Sequence, residues 1–280
     1  VPMTRYILRV ECPDATGLIF KITKVIFDHG LNILSNGEFV YAKRSRFFLR
    51  AELEGQCDTE VISEQLRDTL PEAASVTIGV SRTKDVVLLV TRESHCLGDL
   101  LLRHSAGEFS GHIHAVVSNR PDLGDLVERF DVPFHCIPHE GVDRDEHESR
   151  VLETLDPYPV DYLVLAKYMR ILSADFVGQF LGRMVNIHHS FLPAFVGENP
   201  YGQAFQRGVK IIGATAHFVT DDLDEGPIIA QNVIPVDHTH SAADMAQAGR
   251  DVEKSVLARA LKLVLEERVF ISGNRTIIFD

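Results

Sequence analysis

The chain has 280 residues, enough for one large domain or two medium ones, each with its own hydrophobic core. Its hydrophobic fraction of 45% and charged fraction of 24% are those of an ordinary globular protein, and its formal net charge is −12. This acidity argues against non-specific binding of nucleic acids, whose phosphates require a basic surface. The sequence shows neither an apolar run of membrane-spanning length nor a signal-peptide layout, so we expect no membrane association.

The four cysteines are scattered and show no CxxC spacing; they are Cys12, Cys57, Cys96 and Cys136. Scattered cysteines of this kind are typical of cytoplasmic proteins, in which thiols stay reduced and most are packed in the core. We therefore expect the protein to be cytoplasmic.

Residues 1–82 are expected to form a small first domain. Its apolar patterns predict strands over Tyr6–Cys12, Asn32–Val40, Arg46–Leu53 and Ser75–Val80, and helices over Gly17–His29 and Thr59–Leu70. The order βαββαβ is the ferredoxin-like arrangement. The motif Asp14-x-x-Gly17-Leu18, followed by Asn32 at the start of the second strand, resembles the ACT domain, a regulatory module of amino-acid and one-carbon enzymes.

The ACT resemblance implies that Asp14, Gly17, Leu18 and Asn32 hold an amino-acid effector where two such domains pair, with glycine or methionine as the first ligands to test. The alternative, that Gly17 only starts a helix and the domain only dimerises, stays open. In both cases the resemblance implies a homo-oligomer, either a dimer or a tetramer.

Residues 83–280 alternate short apolar runs with helical stretches. Parallel strands are predicted over Asp85–Val90, Ile113–Ser118, Pro133–Ile137 and Tyr162–Ala166, and helices over Gly98–Arg103, Asp125–Arg129, Asp145–Leu155 and Ala242–Glu267. A terminal hairpin fits Val269–Ile271 with Thr276–Ile278. The pattern predicts a Rossmann-like, doubly wound α/β sheet with its ligand beyond the carboxyl ends of the strands.

The loop after the first strand of this domain, Thr91–Gly98, carries neither a GxGxxG nor a GxxxxGK[ST] motif. Dinucleotides and nucleoside triphosphates need glycines there, because the backbone must approach their phosphates. We therefore expect neither NAD nor ATP as a cofactor.

The stretch from Asn186 to Pro227 holds the parts needed to attack a carbonyl carbon. Asn186 and His188 supply an amide and an imidazole that stabilise an oxyanion, and Asp224 supplies a carboxylate that handles a proton. His217 lies between them in sequence. A metal site built from His188, His189 and His217 is disfavoured, because no HExxH motif or carboxylate-rich cluster accompanies these residues.

This stretch resembles the folate-dependent formyltransferase family. The signature N-I-H-x-S-x-L-P begins at Asn186, and its companion runs from Gly213 through His217 to the Asp-Glu-Gly-Pro sequence at Asp224. The resemblance implies that Asn186, His188 and Asp224 are catalytic and that His217 supports them. His189 replaces the proline of the transformylases in this family, and we expect it to tune the turn.

The same resemblance implies a folate slot beside the catalytic group. Backbone and loop contacts are expected from Met169, Arg170, Leu172, Thr220, Asp221 and Leu223, and an apolar lining from Leu165, Val177, Met184 and Val219.

The acceptor decides between a transferase and a hydrolase. In the glycinamide ribonucleotide transformylases the loop after the first strand is glycine-rich and grips a nucleotide phosphate, whereas here it is the bulky Arg92–Leu97. An ACT domain ahead of this fold is similar to the formyltetrahydrofolate deformylase family. The resemblance therefore implies hydrolysis of 10-formyltetrahydrofolate to formate and tetrahydrofolate, which supplies formate for purine biosynthesis and balances the one-carbon folate pool. The folate is then the substrate, and neither a cofactor nor a metal is expected. Two alternatives stay open: formyl transfer to an amine, and an inactive amino-acid or folate sensor.

Overall fold

A computed structural model describes residues 3–194 and 200–280 of the chain. The chain forms two compact units. The first comprises the chain up to Arg82 together with Phe279, and the second runs from Thr83 to Ile278 and includes Asp280.

The first unit is a four-stranded antiparallel sheet with two helices. Its elements are β1 (Thr4–Pro13), α1 (Leu18–Asp28), β2 (Asn32–Tyr41), β3 (Arg46–Gly55), α2 (Thr59–Thr69) and β4 (Ser75–Val80). The strand order is β2-β3-β1-β4. The predicted ferredoxin-like, ACT-type fold is confirmed, and the predicted elements differ from the observed ones only by a residue or two at their ends.

Amphipathic helices build the core of this unit. Helix α1 buries Ile22 and Val25, and α2 buries Ile62 and Leu66, against the sheet. The Asp58 side chain caps α2 by accepting from the backbone N–H groups of Glu60 and Val61, which would otherwise lack partners.

The second unit contains the remaining elements. They are β5 (Lys84–Val90), α3 (His95–Ser105), β6 (Gly111–Ser118), α4 (Gly124–Glu128), β7 (Phe134–Cys136), α5 (Arg144–Leu155), β8 (Tyr162–Leu165), α6 (Ala174–Gln179), β9 (Met184–His188), α7 (Pro200–Arg207), β10 (Ile211–Phe218), β11 (Ile228–Pro235), α8 (Ala242–Leu265), β12 (Val269–Ile271) and β13 (Thr276–Ile278). No helix in the described residues is both long enough and apolar enough to cross a bilayer.

A seven-stranded sheet in the order β11-β10-β9-β8-β5-β6-β7 forms the centre of the second unit. The strands from β9 to β7 are parallel, so the Rossmann-like class is confirmed. Strands β10 and β11 pair antiparallel and were not predicted, and neither were β9, α6 and α7. The signal for β10 was weak because this strand is rich in small residues, which have low strand preference.

The central strands are buried on both faces, as parallel sheets require. Alternate residues of β5 belong to two separate cores: Val86 and Leu88 pack in the core that contains α3 and α8, and Val87 and Leu89 pack in the core that contains α5 and α6. The sheet is thus covered on both sides, and its carboxyl edge lies free to form a site.

Candidate active site

Strand β9 and the neighbouring β10 bring three polar side chains to one place. Asn186 and His188 are two residues apart on β9, so their side chains project from the same face of the sheet. The antiparallel register sets His217 of β10 directly opposite Asn186, and Nδ2 of Asn186 lies 3.2 Å from Nε2 of His217. A pairing that the sequence alone did not predict thus positions His217.

The loop between β10 and β11 returns the fourth side chain, Asp224, to this group. Asp224 has a φ of 58°, in the left-handed region that aspartate tolerates better than most residues. Two residues later, a Cβ added to Gly226 would lie 1.7 Å from the carbonyl oxygen of Phe218, so glycine is required for the loop to pack against β10.

The carboxylate of Asp224 lies between two imidazoles. One oxygen is 3.2 Å from Nδ1 of His188, and the other is 3.5 Å from Nε2 of His217. Burial raises the pKa of Asp224, but the neighbouring His188 and His217 imidazoles outweigh it and hold this pKa well below its usual range. Asp224 is therefore ionised at neutral pH. A carboxylate that handles a proton needs either a raised pKa or a closely coupled partner, and Asp224 has the coupled imidazole of His188.

The outer nitrogens of the two histidines face different partners. Nδ1 of His217 lies 2.9 Å from the carbonyl oxygen of Phe218, which only accepts, so this nitrogen carries a proton and the ring is held in one orientation. Nε2 of His188 is buried and has no partner among the described residues. A buried nitrogen without a partner is costly, and the His188 side chain that carries it belongs to the wall of a cavity.

That cavity, here called the folate cavity, has a volume of about 260 Å³. Asn186, His188, His217 and Asp224 form its polar end. Its walls include nine of the ten residues expected to bind folate, namely Leu165, Met169, Arg170, Leu172, Val177, Val219, Thr220, Asp221 and Leu223.

The tenth residue, Met184, does not line the cavity. It is fully buried in the core with Leu165 and Phe176. Met184 lies on the same face of β9 as Asn186, but further from the carboxyl end of the strand, so it packs in the core instead. Lys167 and Tyr168, which were not predicted, also line the cavity and belong to the same segment as Met169.

A second cavity, here called the polar cavity, has a volume of about 520 Å³ and shares Lys167, Met169 and His189 with the folate cavity. Arg92, Glu93 and His95 from the loop after β5 and the start of α3 line it, together with Arg250 and Glu253 from α8. Bulky side chains thus occupy the place where a phosphate-binding loop would present backbone amides.

Glu253 is the centre of a buried polar network beside this cavity. It is 1% exposed and accepts hydrogen bonds from Nε2 of His95 at 2.8 Å and from the Tyr201 hydroxyl at 2.6 Å. The Lys167 ammonium lies 3.2 Å from it. Burial raises the pKa of Glu253, but His95, Lys167 and Tyr201 together lower it to about 2.

Within the described residues, His95, Cys96 and Glu253 are the one group whose side chains lie close enough together to hold a metal ion. The chemistry of the group disfavours a cation, because the Lys167 ammonium already neutralises Glu253. Burial also raises the pKa of the Cys96 thiol well above its usual value, which opposes thiolate formation.

The residues expected to bind an amino-acid effector lie around the start of α1 and β2. Gly17 has a φ of 84° and precedes α1, and a Cβ added to it would meet nothing within 4 Å. Asp14 and Asn32 are exposed, whereas the Leu18 side chain is 3% exposed and packs in the core. Leu18 therefore has only its backbone to offer a ligand.

Comparison with known proteins identifies the class of the second unit. The family model described as formyl transferase matches residues 84–261, which is more than half of the chain and defines its class.

Relatives match the chain from end to end. The formyltetrahydrofolate deformylase of Escherichia coli (strain K12) is 53% identical over 276 residues, covering 99% of this chain and 99% of the relative. That of Bacillus subtilis (strain 168) is 42% identical, covering 98% of this chain and 93% of the relative. The solved deformylase of Pseudomonas syringae pv. tomato has a TM-score of 0.94 at 38% identity, with 100% of this chain and 95% of that chain covered.

A glycinamide ribonucleotide transformylase from Symbiobacterium toebii covers less of the chain. It has a TM-score of 0.68 at 31% identity, with 71% of this chain and 95% of that chain covered. The chain therefore belongs to the formyltetrahydrofolate deformylase family, and the resemblance stated from its sequence is confirmed.

Proposed function

We propose that this chain hydrolyses 10-formyltetrahydrofolate to tetrahydrofolate and formate. The end-to-end similarity to formyltetrahydrofolate deformylases supports the reaction class. The observation that carries the proposal is the convergence of Asn186, His188, His217 and Asp224 at one end of the folate cavity.

The pterin ring of the substrate binds in the folate cavity. A volume of about 260 Å³ suits a bicyclic ring, with the rest of the folate extending outward. The backbone around Met169 and Arg170 and the loop Thr220–Asp224 hydrogen-bond the ring, while Leu165 and Val177 pack against it.

Two donors stabilise the formyl oxygen as it becomes anionic. Nε2 of His188 is the unpartnered buried nitrogen at this end, and the Asp224 carboxylate lies 3.2 Å from Nδ1 on the other side of the ring. Asn186 uses one amide hydrogen toward His217, which leaves the second for the oxyanion. Loss of one such donor typically costs on the order of 3 kcal/mol of transition-state stabilisation.

The water oxygen bonds to the formyl carbon, and the resulting tetrahedral intermediate breaks its bond to the folate nitrogen. Asp224, ionised and next to His188, orients the attacking water. It accepts one proton of this water and passes that proton to the departing folate nitrogen. The folate is consumed as a substrate, and these steps assign no metal and no further cofactor.

The first unit serves as the pairing and regulatory module. Helix α1 leaves Phe20 70% exposed and Phe27 80% exposed, which supports burial of this face in a homo-oligomer. Gly17 and its neighbours are the proposed contact for an amino-acid effector such as glycine or methionine. The four cysteines are unpaired, which supports a reducing compartment such as the cytoplasm.

One experiment tests the main proposal. Purified protein is incubated with 10-formyltetrahydrofolate, and formate is followed with and without added amines. We expect formate release without an amine at an undiminished rate. A strict requirement for an amine would identify a transferase instead. Lack of turnover together with calorimetric binding of an amino acid would identify a sensor.

A further inference from the structure

His189 is a buried polar residue for which the proposed steps have no use. It directly follows His188, is 9% exposed, and lies in the wall that the folate cavity and the polar cavity share. Its ring is 5.1 Å from that of His188 and 6.2 Å from that of Tyr201, measured between centroids. The ring therefore lies between the oxyanion donors and a second, polar chamber.

No hydrogen bond joins a ring nitrogen of His189 to another described residue. The two ring nitrogens are also not among the polar side-chain atoms that lack both a partner and contact with solvent. They therefore face cavity space. A nearly buried imidazole without a protein partner needs a solvent or ligand partner to offset its loss of water.

Four titratable side chains from different segments lie near the His189 ring. They are Lys167 after β8, Glu253 on α8, His188 on β9 and Asp224 in the β10–β11 loop. Burial, followed by the Lys167 charge, lowers the pKa of His189 to about 4. At neutral pH the ring is uncharged, and one of its nitrogens is a free acceptor.

The polar cavity adjoins the His189 ring and offers space for a nucleophile. At about 520 Å³ it holds several water molecules, each of which needs roughly 30 Å³. Arg92, Arg250 and Lys167 give it cationic groups as well as the carboxylates of Glu93 and Glu253. It therefore suits water on the way in and a small anion on the way out.

We propose that His189 binds the hydrolytic water on the polar-cavity side and selects water as the nucleophile, an assignment that rests on the proposed hydrolysis. The water donates a hydrogen bond to the neutral imidazole while its oxygen bonds to the formyl carbon. One water proton reaches the folate nitrogen through Asp224 as the carbon–nitrogen bond breaks. The second proton leaves when the formic acid product ionises, and His189 accepts it and releases it to solvent.

The test compares two nucleophiles in the His189→Leu and His189→Gln variants. Formate release measures attack by water, and formation of formhydroxamate in hydroxylamine buffer measures attack by a nucleophile that needs no positioning base. A His135→Leu variant is the matched control, because His135 is a partly buried histidine on β7, at the opposite edge of the sheet.

We expect His189→Leu to lower kcat for formate release by about 10²-fold, with KM changed less than about threefold. The ratio of formhydroxamate to formate should rise at least about tenfold over wild type. His189→Gln, which keeps a hydrogen-bond acceptor, should recover part of kcat. The control should match wild type in every measurement.

Three outcomes would overturn the assignment: an unchanged kcat in His189→Leu, an equal loss of hydrolysis and hydroxylaminolysis, or a rise in KM that accounts for the whole loss. If wild type itself releases no formate, the proposed function fails instead, so the two failures are distinguishable.

Discussion

Asp224 has to satisfy a charge requirement and a backbone requirement at once. Its carboxylate lies within 3.5 Å of two imidazoles, and its φ of 58° excludes most other side chains. Asn is the substitution that separates these requirements, because it tolerates the left-handed backbone and keeps the shape while removing the charge.

Asp224→Asn should therefore lower kcat by at least about 10³-fold, while the dissociation constant for the folate changes less than about fivefold. Stopped assays of formate and fluorescence titration of folate measure the two quantities. Asp175→Asn, at an exposed position of α6 outside the cavity wall, is the control and should keep most of the activity. Near-native turnover by the Asp224 variant would show that the assigned group is not catalytic.

At this scale, sequence could predict the residues whose spacing forms a motif. Asn186, His188, His217 and Asp224 were identified together because their order and flanking residues match a family signature. Met184 was predicted to line the folate cavity but packs in the core, because hydrophobicity alone does not show how far a residue lies from the carboxyl end of its strand. Lys167 and the cavity position of His189 depend on packing between distant segments, which no local pattern encodes.

At the scale of elements, β9 and the β10–β11 hairpin together carry the polar end of the folate cavity. The sequence predicted the parallel strands β5, β6, β7 and β8 because they read as short apolar runs. It did not predict β10, whose buried Gly213, Ala214 and Ala216 have weak strand preference and are held by pairing with both neighbours. Tertiary pairing, which local propensity does not contain, decides this part of the fold.

Glu253 links α8 to α3 through His95 and to α7 through Tyr201. Its pKa of about 2 in the folded protein lies below its usual 4.5. The folded state therefore gains stability from the ionised carboxylate above pH 4.5 and loses it as the pH falls toward 2. At neutral pH, Glu253→Gln should lower the free energy of unfolding by about 3 kcal/mol, because Lys167 loses its buried counter-charge.

The difference in unfolding free energy between wild type and Glu253→Gln should shrink as the pH falls from 4.5 toward 2, since wild type then loses the same interaction. Urea unfolding at several pH values measures it, with the exposed Glu153→Gln variant of α5 as the control. A difference that stays constant over this range would mean that the ion pair contributes nothing to stability.

For the molecule as a whole, the net charge of −12 opposes the approach of an anionic folate. Raising the ionic strength from about 0.02 to about 0.2 M shortens the screening length to below about 10 Å. We therefore expect kcat/KM to rise about two- to threefold while kcat stays constant. A formylated pteroate, which lacks the glutamate carboxylates, should show a smaller rise. A fall in kcat/KM would instead mean that local cations such as Lys167 and Arg170 dominate the encounter.

The two cavities have separate linings except for Lys167, Met169 and His189. Mutations in α8 or in the loop after β5 can therefore accumulate in a lineage without disturbing the side of the site that takes the formyl donor. Descendants of one ancestral gene can exchange the nucleophile and inherit the donor unchanged. The division of one fold between deformylases and transformylases, both similar to this chain, is the outcome that such an arrangement permits.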